Sequence, residues 1–265
     1  GLVAERTFEL QQKNDKIKKD LDIAKKLQES VIRSIPETTE LCIDTRYIAM
    51  EELGGDMYDI RRIGRDTFSF LIADVSGHGV PAALITTMAK TSFINRGHFS
   101  KNPAEICEEV NIDMYTLIGG TDYYLTAFYA MLDLSTLELC YTNCGHHKGI
   151  VYHSKTNTIE ELDSRGFFLG IANNVEYEYH RVKIDVNDKI FLFTDGIPEA
   201  RNDKAEFYGN DRFNKFLQDN GHLSPNRFLE IFVDEISTFC GNRPPDDDRA
   251  ILVVEVLSAK EAFQQ

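Results

Sequence analysis

Aspartates placed at the ends of short apolar runs constrain this chain more than any other feature. They stand in Gly54-Gly55-Asp56-Met57-Tyr58-Asp59, Ala73-Asp74-Val75-Ser76-Gly77-His78-Gly79, Phe193-Thr194-Asp195-Gly196 and Asp246-Asp247-Asp248. Runs such as Phe68-Ser69-Phe70-Leu71-Ile72-Ala73 and Lys189-Ile190-Phe191-Leu192-Phe193 read as buried strands, so the aspartate after each faces a loop at a strand end. A carboxylate there is costly to bury unless a cation meets it. None of the four motifs carries Lys or Arg, and carboxylates converging from distant segments repel one another unless divalent cations lie between them. The pattern points to a hard-metal site.

The rest of the composition narrows the class. With 265 residues, 42% hydrophobic and 27% charged, the chain has room for one large domain of about 200 to 250 residues plus an extension. No apolar stretch approaches the roughly 18 to 20 residues of a membrane span, and no signal-peptide pattern opens the chain. The expectation is a soluble fragment with no membrane contact of its own. Position 1 is Gly rather than Met and a helical pattern is already under way, so the piece reads as cut from a longer protein whose remainder is free to cross a membrane. A net charge of −14 argues against a nucleic-acid partner, which needs a basic patch. The five cysteines are odd in number and lie mostly in apolar runs, as free thiols of a reducing, cytoplasmic compartment do. Cys140 and Cys144 with His146 and His147 lack a usual zinc spacing, and that segment reads as a strand entering a turn.

From Val3 to Ile35 a heptad runs through Val3, Thr7, Leu10, Asn14, Ile17, Leu21, Ala24, Gln28, Val31 and Ile35. Asn14 and Gln28 on this seam would fix the register of a homodimer, Ile23 and Leu27 form a second stripe expected to face the following domain, and Pro36 ends the helix. Residues 1–36 are therefore read as a helical linker and 37–259 as the main domain. Strands are expected over Leu41 to Met50, Thr67 to Ala73, Tyr123 to Asp133, Leu137 to Asn143, Gly149 to His153, Thr158 to Leu162, Val175 to Ile184, Lys189 to Phe193 and Arg249 to Leu257. A further short strand falls between the first two. Helices are expected over Pro81 to Asn95, Pro103 to Ile118, Asp211 to Asn220 and Pro225 to Phe239. Two helices mid-chain and two near the end, among many strands, predict an α+β fold with helices outside a mainly antiparallel sheet system.

Taken in order, Gly54-Gly55-Asp56-Met57-Tyr58-Asp59, Asp74-Val75-Ser76-Gly77-His78-Gly79-Val80-Pro81-Ala82-Ala83, Asn143-Cys144-Gly145-His146, Phe193-Thr194-Asp195-Gly196 with Glu199-Ala200, and Asp247-Asp248 resemble one family. It is the SpoIIE/RsbU branch of the metal-dependent serine/threonine phosphatases related to protein phosphatase 2C, and the likeness runs from about residue 20 to 257. The resemblance implies a two-layer antiparallel β-sandwich flanked by helices (αββα), with a two-metal centre at one end. It implies that Asp56 and Asp74 hold or bridge the metal pair, that Asp195 and Asp247 complete it, and that the Val75 carbonyl is a further ligand. Asp59 reads as a group that supports a ligand or caps a turn, and Asp246 and Asp248 as loop-solvating or strand-capping residues. Where the family usually has Thr before the last strand this chain has Ala250, so a hydroxyl that would help orient Asp247 is expected to be missing. His78 differs in spacing from the catalytic histidine of the wider group, and the preferred reading is structural, holding the Gly77–Gly79 turn.

Oxygen-only ligation suits Mn²⁺ or Mg²⁺, and the implied reaction is hydrolysis of phosphoserine or phosphothreonine by a water activated between two ions. Members of this branch typically act on an anti-sigma-factor antagonist under control of an upstream sensor, and the N-terminal helix resembles the linker that carries the signal. Two other readings keep the same motifs. One is a degenerate phosphatase fold that binds or scaffolds without turnover, which Ala250 faintly favours; the other is a phosphohydrolase of small molecules, which needs a deeper and more basic pocket.

Overall fold

A computed structural model describes residues 2–32, 35–50, 53–98 and 100–259. The chain runs α1 (Leu2–Ile32), β1 (Leu41–Ile48), β2 (Met57–Arg62), β3 (Thr67–Val75), α2 (Gly79–Arg96), α3 (Pro103–Ile118), β4 (Leu125–Asp133), β5 (Glu138–Cys144), β6 (Gly149–His153), β7 (Thr158–Leu162), β8 (His180–Lys183), β9 (Lys189–Phe193), α4 (Asn210–Asn220), α5 (Pro225–Cys240) and β10 (Arg249–Val256). The strands form two five-stranded sheets, ordered β1-β10-β9-β6-β7 and β2-β3-β4-β5-β8. Every strand pairing within them is antiparallel. This is the expected αββα sandwich.

Its layers follow from the period-2 alternation of strands buried on both faces. In β3 and β4, Phe68, Phe70, Ile72, Phe128, Ala130 and Leu132 point between the sheets, where they meet Ile190 and Leu192 of β9 and Leu252 and Val254 of β10. The alternate residues Leu71, Ala73, Val75, Ala127, Tyr129 and Met131 pack outward against α2 and α3. On the other side Phe191, Phe193, Ile251 and Val253 pack against Phe213, Leu217, Phe228 and Phe232 of α4 and α5. Asn102 caps α3, its side chain accepting from Ala104 N at 3.0 Å with Pro103 next in the first turn, the arrangement that favours a helix start.

Two expectations are corrected. The strand expected over Val175 to Ile184 is only His180–Lys183, because β5 offers partners to those four residues alone. Ahead of it Asn174 takes a left-handed backbone (φ 56°), and Tyr177 turns into the α2/α3 core. Ile23 and Leu27, expected to face the domain, are 59% and 63% exposed. The inward side of α1 is instead marked by Gln28, which is buried and donates from Nε2 to the Gly54 carbonyl at 2.8 Å. Gln28 is thus engaged by its own domain rather than standing free on a dimer seam. Val3, Leu10 and Ile17 on that seam are exposed, and the side chain of Val31 lies outside the described residues. Among the described residues no helix is long and apolar enough to cross a membrane.

The layer between the sheets is shared by both of them, and Phe128, fully buried there and stacked on Tyr141 with centroids 5.5 Å apart, is its test. Phe128→Ala is expected to cost about 3 to 5 kcal/mol in urea unfolding. A loss under about 1 kcal/mol would place the principal core elsewhere.

Candidate metal centre

Asp56 immediately precedes β2 and Asp74 is the penultimate residue of β3, in one sheet; Asp195 follows β9 by two residues and Asp247 precedes β10 by two, in the other. Antiparallel pairing of β2 with β3 and of β9 with β10 sets Asp56 beside Asp74 and Asp195 beside Asp247, and the bond from Thr194 to Asp56 puts both pairs at one end of the sandwich. The fold therefore brings together the carboxylates that the sequence singles out.

Their mutual influence shows in their proton affinities. Asp56 is buried, and its carboxyl is pushed well above the usual range by that burial and then by Asp74 and Asp248, with the Thr194 hydroxyl acting in the opposite direction. Asp74 is pushed up to about 8 by burial, then by Asp195 and Asp247. Asp247, at the rim, is also raised, by loss of solvent first and by Asp195, Asp248 and Glu199 after the opposing Asp248 N–H. The charges that raise these three groups are all other carboxylates. Such an array of anions is the electrostatic counterpart of a bound cation.

The loop carrying Asp56 is held from four directions. Gln28 of α1 donates to the Gly54 carbonyl. Thr86 of α2 donates to the Gly55 carbonyl at 2.9 Å, and Val75 N–H reaches the same oxygen at 3.3 Å. Asp248 accepts from Gly55 N at 2.8 Å, from Met50 N at 2.8 Å and from the Tyr47 hydroxyl at 3.3 Å. Asp56 itself accepts from Thr194 Oγ1 at 2.7 Å, and Thr194 Oγ1 in turn accepts from Ala250 N at 2.9 Å. Gly55 is required by close approach: a Cβ there would lie 2.8 Å from the Val75 carbonyl and 3.4 Å from Asp74 Oδ1. Gly196 is required likewise, since a Cβ would run into the Asp248 carbonyl.

The flanking aspartates depart from expectation. Asp59 neither caps a turn nor joins the cluster; it lies in β2 and pairs with Lys90 of α2 at 2.9 Å, both side chains being buried. Asp248 is a buried anchor tying its loop to Gly55 rather than a loop-solvating group. Asp246 pairs with Arg243 at 3.1 Å on the surface. His78 stands at the N-cap of α2 without a side-chain capping bond, between Gly77 (φ 87°) and Gly79 (φ 79°). Ala250 points into the core between the sheets, and the hydroxyl that orients a site aspartate is supplied by Thr194. Thr194 lies inside a motif that the sequence displays, whereas nothing local marks Thr86.

Among the described residues no three His, Cys, Asp or Glu side chains close on one point tightly enough to hold an ion unaided. The donor set is instead carboxylate and backbone carbonyl oxygen around the Gly55 cradle, which fits Mn²⁺ or Mg²⁺, ions that keep several of their own waters. Beside it opens a cleft of about 390 Å³ lined by Asp74, Asp195, Thr126, His146, Tyr124 and Phe168 among others. The Tyr124 and Phe168 rings stack 4.8 Å apart on its wall.

The family model described as Stage II sporulation protein E (SpoIIE) matches residues 64–257, a span holding Asp74, Asp195 and Asp247. The chain is 25% identical over 221 residues to the phosphoserine phosphatase RsbU of Bacillus subtilis (strain 168), covering 83% of this chain and 65% of that protein. It is 25% identical over 183 residues to the phosphoserine phosphatase RsbP of the same organism, covering 68% and 45%. The chain thus spans between 45% and 65% of the length of these relatives. In fold it is similar to the SiaA-PP2C domain of Pseudomonas aeruginosa, with a TM-score of 0.82 and 23% identity over 92% of this chain and 98% of that one.

A raised carboxyl pKa adds stability at pH values below that of the unfolded chain, near 4, and loses it as pH climbs through the folded value, about 8 for Asp74. In EDTA the thermal midpoint should therefore fall between about pH 5 and 8, and the fall should be shallower in Asp74→Asn. Mn²⁺ displaces those protons, so the midpoint shift it causes should be larger at pH 8 than at pH 6. Dye-based melting curves check both, and identical slopes in wild type and variant would contradict the assignment.

Proposed function

The chain belongs to the SpoIIE family, and on that premise we propose that it is a metal-dependent phosphatase of phosphoserine or phosphothreonine in proteins. One observation carries the reading: carboxylates from both sheets meet at one end of the sandwich, and the charges that raise their pKa values are other carboxylates. In this reading Asp56 and Asp74 would hold the ions, Asp195 and Asp247 would complete the site, and the Val75 carbonyl would be a further ligand. Mn²⁺ or Mg²⁺ held there would supply positive charge to the phosphoryl oxygens and lower the proton affinity of a water nucleophile.

The chain's own groups do the positioning. Thr194 occupies one Asp56 oxygen and fixes the orientation of the carboxylate. Asp248 ties the Asp247 loop to the Asp56 loop through Gly55 N, so the two sheets contribute ligands at a set separation. The Tyr124–Phe168 wall gives the cleft an apolar side, against which a peptide segment next to the phosphorylated residue can lie. No covalent phospho-enzyme is needed.

For substrate we propose a phosphorylated anti-sigma-factor antagonist in a partner-switching pathway of the cytoplasm; the likeness to two phosphoserine phosphatases of the RsbU and RsbP type supports it. Residues 1–36 serve as a signalling linker that forms a homodimer, and 37–259 as the phosphatase domain. The Gln28 bond to Gly54, two residues before Asp56, gives that helix a direct hold on the site. The alternative of a binding or scaffolding module rests on Ala250 alone, the Thr194 hydroxyl being bonded to Asp56 rather than to Asp247.

Hydrolysis of p-nitrophenyl phosphate across a Mn²⁺ titration tests the reading. Asp74→Asn is expected to lower the rate by more than about 100-fold, beyond the roughly 10- to 100-fold typical of losing a group that only orients a ligand. Unchanged turnover in Asp74→Asn would sink it. For the linker, removing residues 1–35 is expected to change both the sedimenting mass and the Mn²⁺ needed for half-maximal rate; a monomer with equal activity in both forms rejects the regulatory role.

A further inference from the structure

His146 lies outside the carboxylate cluster but joins the strands that carry it. Its turn is fixed by Asn143, whose side chain accepts from His146 N at 2.6 Å and donates to His146 O at 2.9 Å. An isolated bridge between Gly145 and Ala127 sets this turn beside the start of β4. The imidazole then reaches two partners. Nδ1 lies 2.7 Å from Thr126 Oγ1 and Nε2 lies 3.2 Å from the Phe193 carbonyl. A carbonyl only accepts, so Nε2 carries the hydrogen and donates it, which leaves Nδ1 to accept from the Thr126 hydroxyl.

Both partners are one step from a site aspartate. Thr126 is directly opposite Asp74 in the β3–β4 ladder, with its hydroxyl also 3.5 Å from the Asp74 carbonyl. Phe193 is the last residue of β9, and Asp195 follows after Thr194. We propose that His146 is a positioning residue that straps the Asp74 strand pair in one sheet to the Asp195 strand end in the other, and so sets the spacing of the metal-holding carboxylates. A planar ring with a nitrogen on each side is suited to such a strap, because it meets both partners with only two rotatable bonds to order. Burial, with His147 beside it, lowers the ring pKa to about 3 despite the Phe193 carbonyl, in keeping with an imidazole that accepts at Nδ1. The inference rests on the metal-centre reading and concerns only residues of this chain.

The test measures Mn²⁺ binding directly, by loss of the free-ion electron paramagnetic resonance signal, in wild type, Thr126→Val, Thr126→Ser, His146→Gln and the Thr126→Val/His146→Gln double variant. Thr126→Val and His146→Gln are expected to weaken binding about 10- to 100-fold, while Thr126→Ser, which keeps the hydroxyl, binds as wild type does. The double variant should bind no more weakly than the worse single one, because both substitutions cut the same strap. Val suits a strand as well as Thr does, so the valine and serine pair decides the matter even if His146→Gln does not fold. The proposal is overturned if Thr126→Val and Thr126→Ser bind alike, or if the two single losses multiply in the double variant. A wild type that binds no Mn²⁺ overturns the metal-centre reading itself, and this inference with it; a wild type that binds beside an unaffected Thr126→Val overturns this inference alone.

Discussion

Carboxylates that repel one another cannot hold themselves in place, so the end of this sandwich depends on the bonds that confine them. Asp56 and Asp74 lie side by side where burial and the neighbouring carboxylates raise both proton affinities, and fixed dipoles, hydroxyls and backbone N–H groups offset that repulsion. Asp248 is the hinge of the arrangement. By taking the N–H groups of Met50 and Gly55 together with the Tyr47 hydroxyl, one buried aspartate joins the last strand of one sheet to the loop that opens the first strand of the other. Thr194 closes a second link across the same gap.

That confinement depends in turn on a core buried on three levels. Strands β3, β4, β9 and β10 present apolar residues to both faces, so each is packed from both sides in the register of its antiparallel ladders. Register is thereby fixed at the far end of each strand, where the aspartates stand. Helices α2 and α3 on one side and α4 and α5 on the other finish the packing, and α2 adds two polar contacts at consecutive turns, Thr86 to Gly55 and Lys90 to Asp59.

Features with a local cause were legible in the sequence. The bounds of β6, β7, β9 and α3 follow from apolar runs closed by turn residues, or from Asn102 and Pro103 at a helix start. Asp74 and Asp195 were marked by their place at the end of such runs, Asp56 and Asp247 by theirs in a turn just ahead of one. The misread features have distant causes. β8 is short because of what β5 can pair with, and the rotation of α1 is set by a bond to Gly54, which no heptad count contains. Asp59, Asp246 and Asp248 look alike in sequence, yet one meets a buried lysine, one a surface arginine and one a set of backbone amides. Chemical type was readable from residue identity; the partner was decided by the fold.

The geometry of α1 has a mechanical side. At about 1.5 Å per residue, some 38 Å of helix separates Gln28 from Val3, while the hold on Gly54 is a single side chain at the other end. Under the signalling role proposed for this helix, a swing of about 10 Å at its far end would become a shift on the order of 1 Å within a few ångströms of that bond. Displacements of that size are enough to change rates about a hundredfold where reacting groups must be aligned. Coarse movement far from the chemistry would thus be converted into fine adjustment beside Asp56.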